Sequence, residues 1–546
     1  MKRPTLILLT GTFALAGCSR ARPSTGTVAQ QGARFDPGYS INPAELRRDL
    51  FIFADDSFRG RETGTSDANR AAAFLARRAQ LLGLEPAGDS LYMQRVPLVR
   101  QKFTKATHVA VTAARGRDHE LHLGADYTPV LTLDGQTEAK RNADGEMIFV
   151  GYGPTNDAES EALARFDVEG KVLVAIHGAP KTKRPRPDQV KLLESQRMLT
   201  ERLNRLIALH PAGVVLLMSG GAEQLYEQTS PRLLHPVIPD RPGEHPEDIA
   251  SDSLRTLPVI LLGVARGGSP LLPADWPNDT STQALGRSLN VHLDIERQQF
   301  TGYNVAAVLR GSDPELNKTY VVYGAHYDHI GVLSTRRPAR RSKTDTIANG
   351  ANDDASGSVA LLAIARQMSY LRPRRSVLFI WHVGTEKGLL GSTYFTAHPT
   401  LPLDSIVTEF NAEAIAGTGE NTVSLIGPRA APNYLSWRVG IVVDSVNRAL
   451  LTPFHIDRQW DDPDDPDDVY ERGDQYNYAK RAIPVILFST PWDGDHSLTV
   501  DEPQRIEYDK LARVAELMLE SGFAVANRST RPTSEVVTQS ISTRQH

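Results

Sequence analysis

The sequence predicts an α/β fold with a mostly parallel central sheet and helices on both of its faces. In the C-terminal half, apolar runs of strand length are too continuous for a sheet with one solvated face, which is the pattern of buried parallel strands. A stretch with helical periodicity separates the first two runs, and such alternation is typical of α/β architecture. The strand-like runs are 319–324, 376–384, 405–413 and 483–490, and the helical stretch is 355–371.

The 546 residues exceed what one hydrophobic core normally serves, so we expect two folded domains plus tails. The turn-rich segment 60–65 precedes a predicted helix over 67–84, in which apolar residues recur at helical spacing. We assign residues 43–134 and 291–527 to the α/β domain. They are interrupted by an insert, 135–290, in which short apolar strands bounded by glycines predict a β-rich domain. These strands are 145–153, 169–178 and 211–219.

The N-terminus resembles a bacterial lipoprotein signal. Lys2 and Arg3 precede an apolar stretch that is too short to span a bilayer and that ends in Leu15-Ala16-Gly17-Cys18. This resemblance implies a signal peptide over 1–18, lipidation of Cys18 and a polar tether over 19–42. We therefore expect anchoring in the bacterial cell envelope, at the outer membrane facing the periplasm. The alternative is an ordinary secretory signal in which Cys18 is incidental.

Composition excludes some classes of function. The chain carries 61 Lys and Arg against 65 Asp and Glu, so no global basicity supports nucleic-acid binding, and the basic run 336–343 is interpreted as a solvated loop. One cysteine cannot form an intramolecular disulfide. The α/β core holds no G-x-S-x-G nucleophile elbow, which argues against a serine hydrolase. The tail 528–546 is rich in Ser and Thr and lacks a core pattern, so we expect disorder there.

Acidic and imidazole side chains follow the predicted strands of the α/β core. Zinc accepts these two donor types, and paired-metal hydrolases hold two ions about 3.5–4 Å apart. Open α/β sheets place their ligand crevice at the carboxyl ends of their strands. The sequence therefore predicts a paired metal centre at that edge. The candidate residues are His326, Asp328, Asp353, Glu386, Glu413 and His496.

Five ordered motifs surround these residues. They are VVYGAHYDHIG (321–331), NGANDDASG (349–357), WHVGTEKGLLGS (381–392), EFNAEAIAG (409–417) and YERGDQYNYAKRAIPVILFST (470–490). In order and spacing they resemble the co-catalytic zinc exopeptidase family, which includes bacterial leucyl aminopeptidases and glutamate carboxypeptidase. The resemblance covers roughly 43–130 and 295–525. The insert, in turn, resembles a protease-associated domain, and we expect it to cover or narrow the mouth of the site.

The resemblance and the donor types together imply two Zn²⁺ ions, or one. Asp353 is expected to bridge the two ions, and Asp328 to lie behind His326 and fix its tautomer. We expect His329 to lie outside the ligand set, behind it or at the surface. The remaining ligands divide into His326 with Glu413 for one ion and Glu386 with His496 for the other.

Two departures from the family pattern concern chemistry. Where the family carries two adjacent acids, a general base and then a ligand, this chain reads Thr385-Glu386. A threonine hydroxyl is no base near neutral pH, and a positioned base contributes about 10²–10⁴-fold to the rate. Glu413 replaces the family's aspartate, which keeps the charge and adds one methylene. Asp354 is the candidate for a replacement base.

A smaller departure from the family pattern concerns the final histidine ligand. Gly473-Asp474-Gln475 stands where the family commonly reads Ser-Asp-His, so the assignment of the final histidine rests on His496.

These observations predict a lipid-anchored, zinc-dependent exopeptidase, in the first place an aminopeptidase acting on peptides. The alternative, favoured by Thr385, is a peptide-binding or scaffold protein that keeps the fold and has lost hydrolysis. Glutaminyl-cyclase-like acyl transfer ranks third, because those proteins resemble the core without the insert and keep the acid pair.

Overall fold

The computed structural model describes residues 40–113, 118–132, 138–180, 186–240, 257–333, 345–417, 421–427, 435–491 and 499–532. The predicted signal peptide with Cys18, the residue His496, the basic run 336–343 and most of the predicted tail lie outside these residues. The α-helices of the described residues are Pro43–Phe53, Ser66–Leu81, Asp157–Leu163, Pro187–Leu193, Gln196–Ile207, Ala222–Leu234, Gly357–Leu371, Leu390–Ala397, Trp437–Ala449, Gln475–Ala479 and Tyr508–Ala526.

The strands of the described residues are numbered along the chain. They are β1 (Glu85–Pro86), β2 (Met93–Phe103), β3 (His108–Ala113), β4 (His119–Leu121), β5 (Thr128–Val130), β6 (Asn142–Phe149), β7 (Val172–His177), β8 (Gly213–Met218), β9 (Val237–Pro239), β10 (Val259–Val264), β11 (Gln283–His292), β12 (Ile295–Leu309), β13 (Tyr320–His326), β14 (Gly331–Val332), β15 (Ile347–Ala348), β16 (Ser376–His382), β17 (Ile406–Ala412), β18 (Thr422–Ile426), β19 (His455–Asp457) and β20 (Val485–Ser489).

The central sheet has the strand order β19-β18-β20-β17-β13-β16-β12-β2-β9, with β1 added to β12. Its middle strands β16, β13, β17 and β20 run parallel, whereas β12 and β2 on one side and β18 on the other pair antiparallel with their neighbours. All residues of β16, β17 and β20 are buried, which is why their sequences are continuous apolar runs. The predicted α/β class is confirmed, with the parallel part confined to the centre of a mixed sheet.

Helices cover both faces of this sheet. Val322 of β13 packs in one hydrophobic cluster with Phe395 and Tyr478, which belong to the helices Leu390–Ala397 and Gln475–Ala479. The next residue, Tyr323, points to the opposite face, where its hydroxyl donates to the carbonyl of Met518 at 2.9 Å. Met518 lies in the helix Tyr508–Ala526. This alternation from one residue to the next is the period of a strand buried on both sides.

Register brings the ends of the central strands to one edge. In β13, Tyr320 pairs with Ser376 and His326 pairs with His382, so β13 and β16 start and end together. Ala325 pairs with Ala412, the last residue of β17. The loops after these three strands therefore leave the sheet side by side, at its carboxyl edge.

A second sheet has the order β4-β3-β11-β6-β7-β8-β10-β5. The predicted insert supplies much of it, and β3, β4 and β5, which precede residue 135, complete it. The strands β6, β7, β8 and β10 are parallel, and helices connect several of them, so this part is mixed α/β rather than β-rich. One strand of the predicted insert, β9, is not part of this sheet and pairs with β2 of the central sheet.

No helix within the described residues is both long and apolar enough to cross a membrane.

Candidate metal centre and active site

His326, the last residue of β13, lies at the centre of the site. It is 1% exposed, and its Nε2 lies 3.1 Å from the Asp353 carboxylate. Its Nδ1 lies 3.1 Å from the main-chain oxygen of Asp328 and 3.6 Å from the carboxylate of the same residue. Burial lowers the pKa of His326, but the carboxylates of Asp328 and Asp353 outweigh burial and hold that pKa well above its usual value. The imidazole is thus fixed by acids on both sides.

Asp353 lies in the loop before the helix Gly357–Leu371, and a distant carboxylate holds that loop. The main-chain N–H groups of Asn352 and Asp353 donate to Asp501 at 2.8 and 3.0 Å. Asp501 is itself buried, and burial raises its pKa to about 7. Because both oxygens of Asp501 accept from the backbone, this residue positions Asp353 and offers no free oxygen at the site.

A second donor set consists of His329, Asp353 and Glu386, whose ligand atoms lie within 4.8 Å of one another. His329 is fully buried, so of its two expected positions, behind the ligand set or at the surface, the surface position is wrong. Its Nδ1 lies 3.0 Å from Glu386 Oε1, yet neither ring nitrogen nor this oxygen has a hydrogen-bond partner among the described residues. Buried polar atoms without partners are rare. Lone pairs that converge in this way fit a metal ion.

Glycine is required where the His329 ring packs. A Cβ atom on Gly350 would lie 2.5 Å from Cγ of that ring, and Gly350 adopts a positive φ of 56°. Both the close approach and the left-handed backbone conformation favour glycine here.

Glu413 follows β17 and faces the same edge. Its main-chain N–H donates to Phe488 at 3.1 Å, and its Oε2 has no hydrogen-bond partner among the described residues. Burial raises the pKa of Glu413 to about 8, with Asp353 and Asp474 adding to the increase and His326 opposing it. Crowded, buried carboxylates of this kind are stabilised by a divalent cation.

The structure thus brings four predicted ligands to the carboxyl edge: His326, Asp353, Glu386 and Glu413. The fifth, His496, lies outside the described residues, and the division of ligands between two ions stays a prediction. The Asp328 carboxylate accepts from the Thr63 hydroxyl at 2.8 Å and from the Thr385 main-chain N–H at 3.2 Å. Asp328 therefore ties three loops together besides contacting His326.

Thr385 stands in the turn after β16, next to Glu386. Its hydroxyl donates to Asp474 Oδ2 at 2.6 Å. Asp354, the candidate for a replacement base, accepts instead from the main-chain N–H groups of His326, Gly357 and Ala414 at 3.0–3.3 Å. Both of its oxygens are occupied by the backbone, so Asp354 shapes the loops around the site and is not a free base.

Sequence reasoning missed Arg61, a fully buried arginine in the segment 60–65. Its guanidinium donates to the carbonyl oxygens of Tyr327, Asn349 and Gly350 at 2.7–2.9 Å and to that of Phe53 at 3.2 Å. Burial lowers its pKa to about 10, while the nearby aspartates raise it. Arg61 thereby joins the two loops that carry the ligands. The turn-rich character of its segment is the one signal that pointed there.

The segment of the insert that precedes β9 also reaches the site. Arg232, in the helix Ala222–Leu234, lies 2.7 Å from Glu386 Oε2. Burial raises the pKa of Glu386, but the Arg232 guanidinium and the His329 ring together outweigh burial, so the net shift is downward. Close by, Glu62 Oε1 lies 3.1 Å from both Lys387 Nζ and His235 Nδ1. The insert therefore supplies a cation to the ligand set, a role that no motif in its sequence indicated.

Comparison with known proteins shows what the part of the chain that carries this site is similar to. Residues 304–522 match the sequence profile of Peptidase family M28. This region contains the described site residues of the core, and the predicted resemblance to the co-catalytic zinc exopeptidases is confirmed for it. The assignment of the insert as a protease-associated domain stays a prediction.

Particular relatives are aminopeptidases. The chain is 28% identical over 190 residues to an aminopeptidase of Pseudomonas aeruginosa, covering 34% of this chain and 31% of that protein. It is 30% identical over 111 residues to a probable leucine aminopeptidase 2 of Aspergillus oryzae, covering 20% and 19%. These matches span about a fifth to a third of the relatives' lengths.

Solved structures share the fold. An aminopeptidase from Aneurinibacillus sp. strain AM-1 superposes with a TM-score of 0.57 at 15% identity, covering 91% of this chain and 96% of the other. BSAP, a zinc aminopeptidase from Bacillus subtilis, gives a TM-score of 0.53 at 13% identity, covering 90% and 98%. At such identities the likeness establishes the fold.

Proposed function

We propose that this protein is a zinc-dependent exopeptidase, and specifically an aminopeptidase that releases N-terminal residues from peptides. The observation that carries the proposal is the convergence of buried imidazole and carboxylate groups whose atoms lack hydrogen-bond partners among the described residues: His329 Nδ1 and Nε2, Glu386 Oε1 and Glu413 Oε2. Such a set is costly to bury unless a cation binds it. The match to Peptidase family M28 supports peptide hydrolysis as the reaction.

The donor types fit zinc, which favours imidazole and carboxylate ligands. Asp353 lies between the two sets and remains the bridge in this proposal, with His326 and Glu413 on one side and His329 and Glu386 on the other. His496 remains a further proposed ligand on the Glu386 side. When bound, such ions polarise a scissile carbonyl and lower the pKa of the attacking water.

The chain's own residues preorganise this arrangement. Asp501 holds the loop of Asp353, Arg61 joins the two ligand-bearing loops, and Asp328 ties β13 to Thr63 and to the turn at Thr385. Ligands held by several buried hydrogen bonds do not need to reorganise when substrate binds. The buried position of the site excludes bulk water from the ligands.

A test of the proposed function combines metal content with turnover. Purified protein should contain zinc and hydrolyse aminoacyl and dipeptide substrates in a panel, and Asp353→Asn should abolish both properties. Asp404→Asn is the matched control, because Asp404 is an exposed carboxylate in the turn that precedes β17, at the opposite edge of the sheet. Zinc binding that is unchanged in Asp353→Asn would contradict the assignment.

We further propose that the protein is lipid-anchored through Cys18 in the bacterial cell envelope, at the outer membrane facing the periplasm. The residues that support this are Lys2, Arg3 and the apolar stretch before Leu15-Ala16-Gly17-Cys18. Envelope peptides would then be the substrates.

One alternative has its own supporting observation. Thr385 provides no carboxylate next to Glu386, so a protein that binds zinc and peptides without cleaving them is the second candidate. Zinc-loaded protein that binds peptides and shows no turnover on the panel would favour it. Ordinary turnover, about 1–10³ per second, would exclude it.

A further inference from the structure

The hydrogen bond between Thr385 and Asp474 is the feature from which a further role follows. Asp474 is fully buried, and its Oδ2 accepts the Thr385 hydroxyl at 2.6 Å. Its second oxygen, Oδ1, has no hydrogen-bond partner among the described residues. The backbone of Thr385 is fixed as well, because its N–H donates to Asp328 at 3.2 Å. The hydroxyl is therefore held against a buried carboxylate, and Thr385 directly precedes the candidate ligand Glu386 in the sequence.

The other described acids around the ligands are engaged elsewhere. His326, Asp353, Glu386 and Glu413 form the ligand sets. Asp501 and Asp354 accept from main-chain N–H groups with both oxygens. Asp328 accepts from Thr63 with one oxygen and from the Thr385 N–H with the other. Asp474 differs from these acids, because its Oδ1 accepts no hydrogen bond among the described residues and its negative charge acts on Glu413.

We propose that Asp474 is the proton acceptor for peptide hydrolysis and that it acts through the hydroxyl of Thr385. As the attacking water forms its bond to the scissile carbonyl carbon, its proton passes to Thr385 Oγ1 while the proton of that hydroxyl passes to Asp474 Oδ2. When the C–N bond breaks, the two transfers reverse and the proton goes to the leaving amine nitrogen. Asp474 and Thr385 end the cycle unchanged.

This inference rests on the proposed function. It explains how a proton could be accepted although position 385 carries a threonine and no acid. A hydroxyl alone cannot hold the proton near neutral pH, whereas a hydroxyl hydrogen-bonded to a carboxylate can transmit it. A purely structural hydrogen bond needs only an acceptor for the hydroxyl. Asparagine provides that acceptor and cannot take up a proton, so Asp474→Asn separates the two roles.

The test uses zinc-loaded, full-length protein. It compares Asp474→Asn, Thr385→Val and their double mutant, and it adds Thr385→Glu to the wild type and to Asp474→Asn. Asp474→Asn and Thr385→Val should each lower kcat about 10²–10⁴-fold, with KM within about threefold and zinc content unchanged. The double mutant should be no worse than either single mutant, because the two residues act as one unit. Thr385→Glu, which places a base directly beside Glu386, should restore kcat in the Asp474→Asn background.

Asp464→Asn is the matched control, since Asp464 is an exposed carboxylate on the same stretch of chain. Near-wild-type kcat in Asp474→Asn, or no gain from Thr385→Glu in that background at equal zinc content, would overturn the inference while leaving the proposed function intact. An inert wild type that Thr385→Glu activates would also overturn it. Should Asp474→Asn fail to fold, Thr385→Val decides the question. If no variant cleaves peptides despite bound zinc, the proposed function and the inference both fall.

Discussion

Glu413 is a buried candidate ligand whose protonation should change when a cation binds. In the metal-free protein, burial raises its pKa from an ordinary 4.5 to about 8. Between these two values the folded state binds more protons at this group than the unfolded state does. Stability contributed by the neutral carboxyl is therefore present at low pH and is lost as the pH rises through this window. A bound divalent ion would reverse the preference by stabilising the carboxylate.

A pH series tests whether the stability of the metal-free protein falls as the pH rises. The thermal midpoint of metal-free protein should fall as the pH rises from about 5 to about 8, and Glu413→Gln, which is neutral at every pH, should have a shallower dependence. Added zinc should flatten the wild-type curve, since it binds the ionised form. Glu315→Gln, at an exposed glutamate, serves as the control and should follow the wild type. Parallel curves for wild type and Glu413→Gln would contradict the assignment.

The role of His329 is tested by metal stoichiometry. If His329 is a ligand of the ion held by Glu386, His329→Ala should lower zinc content from about two ions to about one per chain and leave the ion near His326 in place. Atomic emission after dialysis measures this directly. His455→Ala removes an exposed histidine and should bind zinc as the wild type does. Equal zinc content in His329→Ala and His455→Ala would show that His329 packs in the site without binding zinc.

At the scale of elements, the helix Ala222–Leu234 connects the insert to the ligand set. Arg232 near its end lies 2.7 Å from Glu386, and the next strand, β9, extends the central sheet beside β2. The pair is mostly removed from solvent, with 25% of the Arg232 side chain and 6% of the Glu386 side chain exposed. The guanidinium and a metal ion bound at Glu386 would thus compete for the same carboxylate.

This competition predicts opposite effects of one substitution. Arg232→Ala leaves a buried carboxylate without its counterion, which should destabilise the metal-free protein by about 1–3 kcal/mol, below the range for a fully buried pair. Zinc affinity should rise about tenfold, because one nearby positive charge is removed. Calorimetry and zinc titration measure the two quantities. Arg205→Ala, which breaks an exposed pair with Asp157 in the insert, is the control and should change neither property appreciably. A fall in both stability and affinity would contradict the competition.

At the scale of the whole molecule, anchoring would determine where the protein meets the proposed peptide substrates. If Cys18 is lipidated, the wild-type protein should partition with membranes, and Cys18→Ala should either appear in the soluble fraction or remain unprocessed. Cell fractionation and N-terminal sequencing check this. Ser24→Ala, a change in the predicted tether, should partition as the wild type does. Soluble wild-type protein that begins at a residue other than 18 would refute the anchor.

The positions of the central strands along the chain were predictable, because continuous apolar runs such as those of β13, β16, β17 and β20 are a local signal. The helix predicted over 355–371 is observed as Gly357–Leu371 for the same reason. The mixed edges of the sheet were not predictable. Strand direction depends on which distant segments pair, and an antiparallel partner such as β12 has no distinct local composition.

For the site, the sequence by itself determined which donors follow which strands and that residue 385 is a threonine. Only the tertiary structure decided that His329 is buried against Glu386, that Arg232 reaches the same carboxylate from the insert, and that Thr385 donates to Asp474. Thr385 and Asp474 are 89 residues apart, and Arg232 and Glu386 are farther still. Periodicity and motif spacing describe neighbours along the chain, whereas the pairing of buried polar groups is fixed by packing between elements, where each group must find a partner once water is excluded.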